Sequence, residues 1–240
     1  MRLEDQYVQA IINRHRATPK HFPQLERLIQ AWARNNLESI ALSGSHAKET
    51  ALKDSDVDLF LSLKPEMQGP LSEIQTSLAR HFCYYQPECR NVSVRIRFEG
   101  TAIDLVPGRR REGSSQHTLW QSRQDTWLQT DIAEQIQHVR ESGLTNEILA
   151  LKIWTRKHAL RFPSFTLELA VIQALKPSPQ ISNQFLSFLD YLSNDFPKAR
   201  LYDPANSNNE LTANLTDEQK TQIAQAATQS LNTPTWPEIL

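Results

Sequence analysis

The sequence has little cysteine and no long apolar run, and each shortage excludes a class of protein. Its 240 residues include two cysteines, Cys83 and Cys89, which do not form a C-x-x-C pair. This excludes a disulfide framework and a four-cysteine zinc site. No apolar run approaches the roughly 20 residues that a membrane-spanning helix needs, and residues 1–16 alternate charges with isolated apolar side chains. We therefore expect a cytoplasmic protein with no membrane partner and no export signal.

The chain also lacks an excess of charge of either sign. Lysine and arginine number 26 against 27 acidic residues, a formal net charge of −1. This balance argues against a protein that coats nucleic acid by bulk attraction, so any polynucleotide contact must be local. Apolar residues make up 39% of the chain, enough for the core of one large domain or two small ones.

Apolar spacing in the first half predicts both helices and strands. Helical spacing occupies residues 7–14, 25–33 and 71–81, whereas strand patterns occupy residues 39–43, 56–63, 92–98 and 101–106. The dipeptide Glu99-Gly100 predicts a hairpin turn between the last two strands. Residues 108–116 have the composition of a loop.

The pattern becomes helical in the second half. Helices are predicted over residues 132–141, 145–160, 165–175 and 183–192, and a last helix, opened by a capping box at Thr216, runs to about residue 231. The expected fold class is therefore α/β (α+β), with a mixed sheet followed by a helical domain. We place the boundary near residue 125, which gives domains over residues 1–125 and 126–240.

The most informative segment runs from Ser43 to Phe60. It joins a Gly44-Ser45 turn to a strand that carries Asp56 and Asp58. Side chains two residues apart on a strand project from the same face, so these carboxylates can share a cation cluster. A glycine turn lets backbone amides approach a phosphate closely.

A third carboxylate, Asp104, lies between apolar residues on a later strand. Its apolar neighbours point to the opposite face, so Asp104 lies on the polar face of a strand that we expect beside the Asp56 and Asp58 strand. An isolated D-x-D is usually the solvated face of an edge strand, and an isolated Gly-Ser is usually a turn. Their combination with a third carboxylate instead predicts a site where three carboxylates converge.

With this combination the chain resembles the DNA polymerase β-like nucleotidyltransferase superfamily. The resemblance implies that Gly44 and Ser45 contact a nucleoside triphosphate and that Asp56 and Asp58 bind two metal ions. Asp104 would complete the site of the ion that activates the attacking hydroxyl. Carboxylate ligands favour Mg²⁺, with Mn²⁺ as the alternative.

The second half resembles one branch of that superfamily. The segments Leu151-Lys152-Ile153-Trp154 and Phe162 to Leu169 are similar to the helical partner domain of oligoadenylate synthases, related cyclic-nucleotide synthases and archaeal-type CCA-adding enzymes. The resemblance implies that residues 1–125 form the catalytic nucleotidyltransferase domain and that residues 126–240 form a helical nucleotide-clamping domain. It also implies that Lys152 and Ser164 contact the triphosphate. It also implies that Phe165 can stack on the base, although relatives commonly carry tyrosine there.

The implied reaction transfers a nucleoside monophosphate, AMP first among the candidates, from a nucleoside triphosphate to a hydroxyl and releases pyrophosphate. Oligonucleotide or cyclic-nucleotide synthesis is the leading interpretation. The alternatives are transfer to an RNA 3′ end, a small molecule or a protein, and a nucleotide-binding regulator without transfer activity. ATP and an RNA or nucleotide acceptor are the expected partners.

Glu168 lies in the apolar helix predicted over residues 165–175 and could be mistaken for a fourth catalytic carboxylate. A buried carboxylate must be paired or hydrogen-bonded. We therefore expect Glu168 to be structural and to hold a basic residue or backbone amides. Without the resemblance, Lys152 would be interpreted as an ordinary solvated helix residue.

Overall fold

A computed structural model describes residues 3–18 and 20–240. Contacts divide these residues into two compact units: one contains residues 3–18, 48–54 and 135–240, and the other contains residues 20–47 and 55–134. We call them the helical unit and the sheet unit. Both are discontinuous in the chain, whereas the predicted domains are continuous segments. The predicted division of labour between a catalytic and a nucleotide-clamping domain stays a prediction.

The described residues form these helices and strands. The helices are α1 Leu3–His15, α2 Pro23–Ala33, α3 Gly44–Ala47, α4 Leu71–His81, α5 Ile132–Glu141, α6 Thr145–Lys157, α7 Ser164–Ala174, α8 Ile181–Asn194, α9 Asp217–Leu231 and α10 Trp236–Ile239. The strands are β1 Leu37–Ser43, β2 Val57–Leu63, β3 Glu88–Cys89, β4 Val94–Phe98, β5 Thr101–Arg110, β6 His117–Gln121, β7 Thr126–Thr130, β8 Tyr202–Asp203 and β9 Asn206–Glu210. Within the described part of the chain, no helix is both long and apolar enough to cross a bilayer.

The sheet unit contains one mixed sheet of seven strands. Strands run in the order β1-β2-β5-β4-β3, and β6 pairs with β5 and with β7. The β2 and β5 strands are parallel, and the other pairs are antiparallel. The mixed sheet and its accompanying helices confirm the predicted fold class.

Both faces of β2 are covered, and only Asp58 is half-buried. Val57, Leu59 and Leu61 pack on one face in a core that also contains residues of α2 and α4. Phe60, on the other face, packs against Val106 of β5. This face also carries Asp58, because residues two apart on a strand share a face. Apolar packing on both sides therefore fixes the register that aims Asp58.

Strand patterns at residues 117–130 were not recognised in the sequence, and the loop predicted over residues 108–116 is wrong at its start. The β5 strand continues to Arg110, because its last residues pair with β2 on one side and with β6 on the other. Ladder hydrogen bonds on two sides outweigh the loop composition of this segment. The predicted hairpin at Glu99-Gly100 is confirmed: both residues have positive φ, 48° and 76°, as a type I′ turn requires.

The helical unit has its own core, in which α1, α6, α7, α8 and α9 bury apolar side chains. Residues 147–155 of α6 are all buried, so this helix is enclosed on every side rather than amphipathic. The Thr216 capping box at the start of α9 is confirmed, with Gln219 as its partner.

Candidate active site

The β2 and β5 strands bring Asp58 and Asp104 side by side in the sheet unit. The strands are parallel and in register, so Asp58 is directly opposite Asp104. Side chains at paired positions of neighbouring strands project from the same face. The expectation that the Asp104 strand neighbours the Asp58 strand is therefore confirmed.

Arg95 contacts both Asp104 and Asp56, the remaining predicted carboxylate. Its Nε donates to Asp104 Oδ1 at 3.2 Å, and its Nη2 donates to Asp104 Oδ2 at 2.6 Å. The same Nη2 also contacts Asp56 Oδ2. Ser93 adds a hydrogen bond from its Oγ to Asp104 Oδ1 at 3.3 Å. The structure thus holds Asp56 and Asp104 on one guanidinium.

Solvent reaches the members of this group unequally. The side chain of Asp104 is 11% exposed, against 27% for Arg95 and 42% for Asp56. The hydrogen bonds to Asp104, with the charges of Asp104 and Asp56, raise the pKa of Arg95 above its ordinary value despite partial burial. Arg95 is therefore a permanent positive charge beside these carboxylates.

Gly44 lies against the carboxylate of Asp58. A Cβ at residue 44 would lie 1.9 Å from Asp58 Oδ2, and the residue has a φ of +55°. Only glycine meets both requirements, since it has no Cβ and adopts positive φ without strain. Ser45 follows within α3, the four-residue helix that starts at this turn. The Gly-Ser turn and the D-x-D strand predicted to act together are therefore adjacent in space.

The geometry of the carboxylates stops short of a formed metal site. Among residues 3–18 and 20–240, no three acidic, histidine or cysteine side chains are arranged to hold one metal ion. The ligating roles of Asp56, Asp58 and Asp104 stay a prediction.

In the helical unit, Lys152 is buried in a polar cluster. Its Nζ donates to Glu168 Oε1 at 2.6 Å, to Thr50 Oγ1 at 3.0 Å and to the Thr50 carbonyl oxygen at 3.1 Å. Glu168 also accepts hydrogen bonds from Lys48 Nζ at 3.0 Å and from Thr50 Oγ1 at 2.6 Å. An ammonium has three donors, so every proton of Lys152 has a partner.

Charge compensation holds Glu168 ionised in this cluster. Burial alone would raise the pKa of Glu168, but the ammonium groups of Lys152 and Lys48, with the hydrogen bonds from Lys152 and Thr50, lower it below its ordinary value. Burial lowers the pKa of Lys152, and Glu168 opposes that change. The expectation that Glu168 holds a basic residue is confirmed, and it holds two.

The other two predicted nucleotide-binding residues lie where α7 begins. Ser164 is its first residue and is exposed, and Phe165 follows it and is half-buried. The ammonium of Lys48 lies 3.7 Å from the centre of the Phe165 ring, a cation–π contact. Their roles in triphosphate binding and base stacking stay predictions.

Sequence reasoning missed four residues of these clusters: Ser93, Arg95, Lys48 and Thr50. A signal for Arg95 existed, because counting back from the Glu99-Gly100 turn pairs Phe98 with Thr101 and therefore Arg95 with Asp104. No comparable signal existed for Lys48 and Thr50. Their partner Glu168 is more than 100 residues away, and only tertiary packing joins them.

Comparison with known proteins agrees with this geometry. Residues 25–113 match the family model of the nucleotidyltransferase domain, a span that includes Gly44, Ser45 and all three predicted catalytic aspartates. None of the curated protein sequences compared with the chain matches it.

Similar solved structures extend the likeness over nearly the whole chain. CdnC of E. coli MS115-1 with ATP is 20% identical, has a TM-score of 0.75, and is aligned over 95% of this chain and 90% of its own. CdnE of Elizabethkingia meningoseptica, a cyclic dinucleotide synthase, is 14% identical with a TM-score of 0.66, covering 88% and 89%. The Cid1 poly(U) polymerase bound to MgATP is 12% identical with a TM-score of 0.68, covering 97% and 95%.

At these identities the likeness establishes the fold, while the family model covers the segment that carries the aspartates. The strand register at Asp58 and Asp104, the glycine against Asp58, the family match and the shared fold agree with one another. The chain carries a nucleotidyltransferase domain over residues 25–113 and shares the fold of the CdnC, CdnE and Cid1 structures over most of its length.

Proposed function

We propose that the protein transfers a nucleoside monophosphate, AMP first among the candidates, from a nucleoside triphosphate to a hydroxyl group. The leading candidate for the product is an oligonucleotide or a cyclic nucleotide. The observation that carries the proposal is the position of Asp58, which is opposite Asp104 in the parallel β2–β5 ladder and in contact distance of Gly44. Asp58, Asp104 and the Gly-Ser turn thus lie side by side at the two adjacent strands β2 and β5.

The donor set suits divalent metal ions. Asp56, Asp58 and Asp104 offer only carboxylate oxygens, the ligands that Mg²⁺ and Mn²⁺ prefer. That Asp56 and Asp104 already gather a cationic group, the Arg95 guanidinium, supports a site of negative potential there. Bound at these residues, two divalent ions would neutralise charge on the attacking and leaving oxygens.

Residues of the chain have separate tasks in this scheme. As the acceptor oxygen bonds to the α-phosphorus, the bond between the α-phosphorus and the oxygen that bridges to the β-phosphate breaks. Pyrophosphate leaves, and the proton of the acceptor hydroxyl passes to water. Gly44 keeps the turn free of a side chain, which leaves room for Asp58 beside it. Ser45 offers a hydroxyl and a backbone amide at the start of α3 for phosphate oxygens.

The proposed contact of Lys152 with the triphosphate carries a condition. Because its three donors already have protein partners, Lys152 must exchange one of them to bind a phosphate oxygen. Ser164, exposed at the first residue of α7, needs no such exchange. Phe165 offers a half-buried ring for stacking, on which Lys48 already lies.

Two similar structures support different products for this chain. Cyclic-nucleotide synthesis is supported by the fold shared with CdnE, a cyclic dinucleotide synthase. Transfer to an RNA 3′ end is supported by the fold shared with the Cid1 poly(U) polymerase. Transfer to a small molecule or a protein, and nucleotide binding without transfer, are the remaining alternatives.

Product analysis separates these alternatives. The purified protein is incubated with the four ribonucleoside triphosphates and Mg²⁺, with and without a single-stranded RNA, and products are identified by mass spectrometry. Products formed without RNA support nucleotide synthesis, whereas products that require RNA support end modification. Asp58→Asn is the matched variant, since it keeps the shape and removes the charge. Pyrophosphate release that is equal in this variant and the wild type would contradict the proposal.

A further inference from the structure

Arg95 occupies the carboxylate site in a particular way. It lies on β4, directly opposite Asp104 in the antiparallel β4–β5 ladder. Its guanidinium forms a bidentate contact with both oxygens of Asp104 through Nε and Nη2. The same Nη2 also donates to Asp56 Oδ2. One planar cation therefore holds two of the three predicted metal ligands.

The oxygens that Arg95 uses are those that a metal ion would need. Both Asp104 oxygens and Asp56 Oδ2 accept from the guanidinium, and no three-ligand metal arrangement exists among the described residues. A guanidinium bound to these oxygens occupies lone pairs that a metal ion would use, and its positive charge repels a second cation at so short a distance. Metal and guanidinium thus compete for the same atoms.

We propose that Arg95 is a built-in cation of this site, which holds Asp56 and Asp104 in the nucleotide-free protein and which a divalent ion must displace. The inference rests on the proposed function, in which these carboxylates hold metal.

Displacement is physically reasonable for this pair. The Arg95 side chain is 27% exposed and that of Asp56 is 42% exposed, so water can solvate both groups when they part. A divalent ion brings twice the charge to the same oxygens. An ion that also carries nucleotide phosphates gains further ligands, as Mg²⁺ usually does. Arg95 would therefore disfavour metal without nucleotide.

Arg97 provides a matched control. It lies two residues farther along β4, on the same face of the strand, where it is paired with Ala102 and exposed. Arg97→Gln removes the same charge from the same strand as Arg95→Gln. A difference between the two variants therefore reports the contact with the carboxylates and not the net charge.

The test is a titration of the nucleotide-free protein with Mn²⁺, followed by electron paramagnetic resonance of the free ion. Arg95→Gln should bind Mn²⁺ about tenfold more tightly than the wild type, the factor that corresponds to about 1.4 kcal/mol. Arg97→Gln should bind as the wild type does. Arg95→Lys keeps the charge but lacks the planar guanidinium, so its affinity for Mn²⁺ should lie between that of the wild type and that of Arg95→Gln.

Thermal unfolding provides a second readout that needs no activity. Without metal, Arg95→Gln should melt below Arg97→Gln, because Asp56 and Asp104 lose their shared counter-charge. Added Mn²⁺ should raise its melting temperature more than that of the wild type. If Arg95→Gln folds poorly, Arg95→Lys supplies the same comparison. Equal responses in the Arg95 and Arg97 variants, or weaker Mn²⁺ binding in Arg95→Gln, would overturn the inference.

Asp58→Asn separates this inference from the proposed function. Asp58 is a proposed metal ligand on β2, whereas Arg95 lies on β4. If Asp58→Asn binds Mn²⁺ as tightly as the wild type, with and without ATP, the carboxylates are not the metal site and both proposals fail. If Mn²⁺ binding depends on Asp58 but not on Arg95, the proposed function stands and the inference about Arg95 is wrong.

Discussion

Neutralising Glu168 should destabilise the helical unit severely. Glu168 is 1% exposed and is the shared counter-ion of Lys48 and Lys152, each 5% exposed. Glu168→Gln keeps the size of the side chain but leaves two buried ammonium groups without a carboxylate. Removing one partner of a buried ion pair typically costs about 3–5 kcal/mol. At about 2–4 °C per kcal/mol for a chain of this size, the melting temperature should fall by about 6–20 °C.

Glu147 gives the matched control for that substitution. It is also in the helical unit and is 5% exposed, but burial raises its pKa above the ordinary value. Its charge therefore opposes folding at neutral pH, and Glu147→Gln should leave the stability unchanged within about 0.5 kcal/mol or increase it. Urea unfolding followed by circular dichroism measures both variants. Equal midpoints for the two would show that Glu168 is not the counter-ion of the lysines.

The pH dependence of the stability of the wild type and of Glu168→Gln tests whether Glu168 is ionised in the folded protein. The pKa of Glu168 is lower in the folded than in the unfolded chain, so the stabilisation is fully present above the unfolded value of about 4.5 and is lost as the pH falls through the lower folded value. The stability difference between the wild type and Glu168→Gln should therefore be constant near neutral pH and shrink in acid. A difference that grew on acidification would refute the charge assignment.

Three further predictions test the sheet unit and a helix end. Gly44→Ala would place a Cβ on Asp58 and should abolish nucleotidyl transfer, whereas Gly113→Ala, also at positive φ but with nothing within 4 Å, should retain it; pyrophosphate release measures both. Burial lowers the pKa of His117, so the stability that it contributes should be lost as the pH falls below about 6.5. The free energy of unfolding of His117→Gln, measured by urea titrations between pH 5 and 7, should therefore change less with pH than that of the wild type. Thr216→Ala removes the capping box of α9 and should cost about 1 kcal/mol, read from its melting temperature against that of Thr221→Ala.

The sequence predicted well those elements whose structure depends on local chemistry. The bounds of α4 and α5 are those expected from apolar spacing, and the Glu99-Gly100 turn gave the correct hairpin. The hairpin even implied the partner of Asp104, since strand register follows from the turn. Where the interpretation failed, at residues 108–110, the local composition indicated a loop, and pairing with strands distant in sequence decided the outcome.

Spacing alone indicated which residues belong together near Asp58, but it could not indicate their contacts. Lys152 was selected by a resemblance and assigned to a phosphate, and the structure surrounds it with Thr50 and Glu168. That environment depends on three segments far apart in the chain, for which a linear pattern has no register to count. Burial and its electrostatic consequences are likewise properties of the packed unit.

The amino-acid sequence by itself determined β1, β2, β4 and the first part of β5, the hairpin turn, the glycine at residue 44 and the carboxylates at residues 56, 58 and 104, because backbone preference and side-chain periodicity act over a few residues. Only the tertiary structure decided that Arg95 holds two of those carboxylates and that Glu168 neutralises two lysines. The physical reason is that hydrogen bonds and charge interactions depend on distances of a few ångströms, and folding sets these distances between residues of any sequence separation.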